Sequence, residues 1–198
     1  MFVRVVLLLG LALHAGFASA QQPTRIAGSV QSFDGRRLTV ASEQLGTVTV
    51  EVADKAAIFA VSKATLADVK LGAFIGVGAM PQPDGSQRAI QVTIFAESQR
   101  GLGEGFRPWD RQPNSTMTNA TVAETVASVD GEVLTVKYKG GEKRIVVPPE
   151  AAILAYSAGD RSELKPGAHV AILRAVKQED GTLRTDRINI GRGDVVPR

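Results

Sequence analysis

The chain has 198 residues, 44% of them apolar, with 23 Lys and Arg set against 20 Asp and Glu and no cysteine. The missing cysteine excludes a disulfide framework, thiolate catalysis and Cys-ligated metal. A net charge of +3 is too small to imply a polyanionic partner.

Arg4, the apolar run Val5 to Leu13 and the small residues Ala18-Ser19-Ala20 read as an export signal over residues 1–20. The run is shorter than the about 20 apolar residues of a spanning helix, so a cleaved signal is expected rather than an anchor. Its loss removes Arg4 and lowers the charge from +3 to +2. A periplasmic or secreted protein with no further integral span is the expectation.

Beyond the signal the chain is expected to be all-β. A first module is placed at residues 25–96. Ile26, Gly28 and Val30 alternate with polar or small residues, as in a strand. Asp34-Gly35 supplies a turn, and Leu38 and Val40 mark a second strand. Gly46 marks another turn, and Val48, Val50 and Val52 a third, half-buried strand. The state of Ala56 to Val61 is left open. Thr65 to Lys70 suggests one or two helical turns, capped by Thr65 and stopped by Gly72. Ala73 to Met80 is an apolar strand interrupted by Gly76 and Gly78, which points to bending or to close backbone approach. Asp84-Gly85 turns the chain into a last strand, Ala89 to Phe95.

The same order returns about 96 residues later, in a second module at 121–191. Asp34-Gly35 reappears as Asp130-Gly131, Leu38-Thr39-Val40 as Leu134-Thr135-Val136, Ala56-Ala57-Ile58 as Ala151-Ala152-Ile153, and Asp84-Gly85 as Asp180-Gly181. The shift falls to 95 in mid-repeat and returns to 96 by the last turn. Gly46 and the glycine-containing fourth strand are expected to absorb the two single-residue changes. Three strands, a short helix and two strands is the order of an OB-like five-stranded barrel, so two tandem OB-like barrels are expected, with a β-sandwich as the competitor. Residues 192–198 are read as a tail.

Residues 97–120 form a Gly- and Pro-containing linker that carries the sole tryptophan, in Phe106-Arg107-Pro108-Trp109. One reading docks Trp109 and Phe106 between the modules. The other makes Arg107, Trp109 and Asp110 a ligand or partner contact, since aromatic and arginine side chains are favoured at binding hot spots. Asn114-Ser115-Thr116 and Asn119-Ala120-Thr121 fit the glycosylation sequon.

In copy one, Val30, Ser32, Asp34, Gly35 and Leu38 to Val40 carry a pattern that resembles the exported bacterial DUF5666-type domain. In copy two, Val126, Ser128, Asp130, Gly131, Leu134 to Val136, Lys165, Pro166 and Gly167 do so. The resemblance implies a fold and no chemistry, because these are turn and core positions and the family is one of unknown function. Copy one departs from it at Leu71, where the pattern prefers proline. Similar two-copy proteins are sometimes labelled metal ABC transporter permeases. A permease needs several spanning helices, and this chain has one short apolar segment.

Outside the signal the only histidine is His169, too few for a zinc site of three or four ligands. The aspartates before glycine read as turn formers. Gly101-Leu102-Gly103-Glu104-Gly105 lacks the Lys-Ser/Thr of a phosphate loop. Basic and aromatic residues alternate only around Tyr138, which does not favour nucleic acid. No catalytic residue, metal ligand or cofactor is assigned. The expectation is a soluble, non-enzymatic binding or scaffold protein of the cell envelope, whose partner is an envelope protein, a peptide or a glycan. An accessory factor for metal handling and a hydrolase with carboxylates across the inter-module cleft are the alternatives.

Overall fold

The computed structural model describes residues 22–128 and 131–197. The expected export signal and the turn residue Asp130 lie outside them. The fold is all-β, and no helix among the described residues is long and apolar enough to cross a membrane. The strands are β1 (Thr24–Phe33), β2 (Arg37–Ser42), β3 (Gly46–Lys63), β4 (Phe74–Pro81), β5 (Gln87–Ile94), β6 (Gly105–Pro108), β7 (Thr116–Ser128), β8 (Gly131–Tyr138), β9 (Gly141–Val147), β10 (Ala152–Ala158), β11 (His169–Lys177) and β12 (Leu183–Gly191). The open segment Ala56 to Val61 is strand, the second half of β3. The short helices shrink to single 3-10 turns at Leu66–Asp68 and Arg161–Glu163, and a third such turn lies at Glu97–Gln99. At the first of these, the Thr65 N–H and hydroxyl both donate to the Asp68 carboxylate at 2.8 Å.

The modules do not close on themselves. β1, β2 and β3 of the first repeat form a meander, which β11 and β12 of the second repeat complete into a closed five-stranded barrel. β11 runs antiparallel to β1, and β12 runs parallel to β3. The reciprocal set follows the same succession. β7, β8 and β9 of the second repeat are flanked by β4 and β5 of the first, with β4 antiparallel to β7. Its seam, β5 to β9, holds two residue pairs, Gln87↔Ile145 and Arg88↔Val146. The two hydrophobic cores record the same exchange. One joins Ile26, Leu38, Val40, Val50 and Val52 to Leu164, Ile172, Ile188 and Ile190. The other joins Ile75, Val77 and Val92 to Val122, Leu134, Val136 and Ile145.

The cause is the length of β3. Eighteen residues of strand have a contour of about 60 Å at 3.3 Å per residue, well beyond the usual strand of about 17–20 Å, and a register shift between Val52 and Ala57 divides them into two halves. Its second half crosses to pair with β10, which is the same part of the other repeat. There Val61 lies opposite Tyr156, 95 residues later, so the pseudo-twofold axis relating the repeats passes between equivalent positions.

The one-residue discrepancies sit where the glycines placed them. The β2–β3 hairpin encloses three residues between Ser42 and Gly46, and the β8–β9 hairpin two between Tyr138 and Gly141. β4 and β5 slip between Gly78 and Ala79, whereas β11 and β12 keep one register. The first strand differs more. Val30 faces Val40, but Val136 faces Val122, four residues before the repeat equivalent of Val30. Val30 is therefore buried and Val126 exposed. The 192–197 tail is docked, not loose. Val195 is buried, Arg192 pairs with Glu163 at 2.9 Å, and Lys63 pairs with Asp194.

The Asp-Gly turns share one mechanism. Asp34 Oδ1 accepts from the N–H groups of Arg36 and Arg37. Asp84 and Asp180 accept from the N–H and hydroxyl of Ser86 and Thr182. These hydrogen bonds hold all three carboxyls below the ordinary aspartate value of 3.8. A folded value below the unfolded one means the stabilisation is complete above the unfolded pKa and is lost as pH falls through the folded values. The melting temperature is thus expected to be level from about pH 5 to 7 and to fall steadily below about pH 4. Asp180→Asn should shallow that acid limb. A limb unchanged in this variant would show that the turn carboxylate contributes nothing.

Candidate functional site

Residues 97–111 do not span freely between modules. They lie against Phe59 of β3 and Arg187 of β12 at one end and on Gly78 of β4 at the other. Asn119 Nδ2 donates to the Leu102 carbonyl at 2.9 Å, and Arg100 Nη2 donates to the Gly72 carbonyl at 3.0 Å. β6 pairs with the start of β7, and the connecting loop is closed by Trp109 N–H donating to Ser115 O at 2.9 Å and Ser115 Oγ donating to Gln112 O at 2.6 Å. Asn114 turns it with φ of 60°.

Gly78 explains where the tryptophan sits. A Cβ on Gly78 would lie 2.4 Å from the Trp109 ring, so the indole rests directly on the β4 backbone. Its other side stays partly open, with the Arg111 guanidinium 5.9 Å from the ring centroid. The loop from Pro108 to Thr116 bounds a shallow open hollow of about 650 Å³. Trp109 and Asp110 both line it, and Asp110 pairs with Arg25 of β1 at 3.0 Å, both side chains exposed. Arg107 turns away, its Nη1 donating to the Gly103 carbonyl at 2.7 Å and closing the glycine loop. Phe106 is 41% exposed and lies under Lys143 Nζ at 4.4 Å, not between modules. Of Arg107, Trp109 and Asp110, two share the hollow. Arg111 belongs with them, and nothing in the sequence separated it from other linker arginines.

Behind the linker runs an aromatic row. Phe59 meets Tyr156 edge-on at 6.3 Å, Tyr156 stacks on Phe95 at 5.9 Å, and Phe95 meets Phe74 at 5.5 Å. Such pairs contribute about 0.5–1.5 kcal/mol each beyond their burial. Burial pushes the Tyr156 hydroxyl above its usual range, against the nearby charges of Arg187 and Arg111. Asn189 Nδ2 donates to that hydroxyl at 3.2 Å. Arg187 lies over Phe59 at 4.7 Å, and burial lowers its pKa.

The remaining sequence candidates scatter. His169 begins β11, half-buried opposite Ser29. Asn119 is buried, so its sequon is inaccessible, whereas Asn114 is exposed on the loop. Among the described residues no three His, Asp or Glu side chains gather closely enough to hold a metal ion. Comparison with known protein families, curated proteins and solved structures finds no match.

Proposed function

We propose that this is a non-enzymatic binding protein of the cell envelope, and that its two halves are OB-like barrels completed by exchanged strands. The β1-β2-β3-β12-β11 succession, with parallel β3 and β12 and a short helical turn before β11, supports the OB-like reading. The observation that carries the binding reading is the seat of Trp109. An aromatic ring is fixed on a glycine of a central strand, flanked by Arg111 and Asp110, and presented on a loop whose backbone is closed on itself. A half-exposed anchor of low residual entropy suits recognition of a peptide or glycan surface.

Trp109 is the only tryptophan, so its fluorescence reads this hollow directly. Capture from envelope extract with wild type and Trp109→Ala tests the reading. Retention is expected to drop by about thirtyfold, the weight of a hot-spot residue near 2 kcal/mol. The captured partner should shift the Trp109 emission of the wild type. Equal capture by both proteins would refute the assignment.

A further inference from the structure

A second hollow, of about 520 Å³, opens where β3, β12 and the 3-10 turn at Glu97–Gln99 meet. It is lined by Phe59, Gln99, Arg100, Leu102, Asp186 and Arg187, together with small residues. Two of these carry N–H groups withdrawn from water with no acceptor among the described residues, Gln99 Nε2 and Arg187 Nε. Gln99 is only 4% exposed, and its Oε1 is already held by the Ala96 N–H at 3.1 Å, which leaves the amide nitrogen as its free end. Buried donors without partners are uncommon because each loses its bond to water with no return.

Arg187 is the centre of the imbalance. Its guanidinium lies on the Phe59 ring, and no carboxylate among the described residues lies within ion-pair distance of it. Asp186 is its neighbour in the chain and is exposed; its charge acts on Arg187 only from beyond ion-pair distance. Arg100, by contrast, is paired with Glu97 and so adds no free charge.

The repeat supplies an internal comparison. Arg187 sits opposite Ala57 as Gln91 sits opposite Ala152, and Asn189 opposite Phe59 as Thr93 opposite Leu154. In the first-repeat position the pair is self-contained, with Gln91 Nε2 donating to Thr93 Oγ1 at 3.0 Å. At the second, Asn189 is drawn to Tyr156 and the buried Arg187 Nε is left without an acceptor among the described residues. Equal backbone settings thus hold a closed polar pair on one side of the axis and an unanswered cation on the other.

We propose that this hollow binds a carboxylate carried on an apolar group, the carboxylate taken by Arg187 and the Gln99 amide and the apolar part laid against Phe59 and Leu102. A planar carboxylate matches the guanidinium fork, which an ammonium or an alcohol does not. Phe59 and the 44%-exposed Leu102 give the attached group an apolar wall. This assignment does not depend on the Trp109 reading, since Trp109 does not line the hollow.

Calorimetric titration of the full chain with hexanoate, acetate, hexanol and inorganic phosphate provides the test. Hexanoate should saturate with a Kd at or below about 1 mM, acetate at least tenfold more weakly, and hexanol and phosphate not measurably. Arg187→Gln, which restores the residue of the first repeat, should lose at least tenfold in hexanoate affinity with an unchanged circular dichroism spectrum. Trp109→Ala should bind hexanoate as wild type does. Gln99→Glu can keep the acceptor for Ala96 and places a carboxylate inside the hollow. It should abolish hexanoate binding and raise Tm by about 3 °C. No saturation by 10 mM hexanoate, about ten times that Kd, would overturn the proposal. So would equal affinity for phosphate, undiminished binding in Arg187→Gln, or a Gln99→Glu protein that still binds.

Discussion

Separated at Gly103, neither half of the chain will fold alone, and the two halves mixed will. Residues 22–103 keep the meander β1, β2 and β3 together with β4 and β5, and no pairing joins β4 or β5 to β1 or β2. The first core then loses Leu164, Val170, Ile172, Ala175, Ile188 and Ile190 at once. Each large aliphatic side chain contributes about 1.5–3 kcal/mol on burial, so the loss matches or exceeds the whole 5–15 kcal/mol stability of an ordinary domain. The second half, residues 104–197, loses Ile75, Val77, Ala79, Ala89 and Val92 from its core in the same way. The expected result is weak sheet signal by circular dichroism and no cooperative melting for either fragment. Equimolar mixing should restore both in a one-to-one complex by size-exclusion chromatography. A fragment that melts cooperatively by itself would show that each repeat closes its own barrel, against the exchange described above.

Gly28→Ala should wedge apart β1 and β2 of the first barrel. A Cβ there would stand 2.0 Å from the Ala41 carbonyl oxygen and 2.7 Å from its carbon, both backbone atoms of the neighbouring strand. No side-chain rotation relieves that contact, so β1 and β2 must part or slip. A loss of about 3 kcal/mol or more is expected, a fall of roughly 6–12 °C in Tm for a chain of this size. Gly46→Ala is the control. It has a left-handed φ of 71° but open space around the added atom, so about 1–2 kcal/mol of backbone strain is the expected cost. Thermal melts of the two variants side by side decide the matter, and equal destabilisation would place the first effect in backbone conformation instead of strand spacing.

Much of the local structure was legible because it depends on neighbours in sequence. Alternation at Val48, Val50 and Val52 marks a strand whichever strands flank it, and Asp84-Gly85 turns the chain by its own side-chain hydrogen bonds. The one-residue slips at Gly46 and at Gly78 followed from counting between the repeats. The strand exchange left no such mark. A valine facing a barrel interior reads the same whether its partner is Ile172 of the other repeat or Val77 of its own, so periodicity is silent on which copy closes which ring. The uncertain run from Ala56 to Val61 was where the answer lay, because its extension as strand carries the chain across.

The candidate sites divide along the same line. Trp109 stood out by rarity, and its seat on Gly78 joined two features noted separately. Arg107 adjoins that contact in sequence, but its guanidinium is engaged by the Gly103 carbonyl and closes the glycine loop, a partner that only the folded loop reveals. Arg187 carries a signal that comparison of the repeats makes visible, since an arginine stands where the other copy has Gln91. Gln99 carries none, because its isolation arises only once the linker is laid on the sheet.

The exchange also sets a timetable for assembly. β1, β2 and β3 are complete by Lys63, but β12, which seals the ring they begin, ends at Gly191. Until β12 has emerged, the meander exposes two unsatisfied backbone edges of the kind that seed aggregation. Contacts so distant in sequence make for slow maturation, so a nascent chain requires shelter that the finished protein does not.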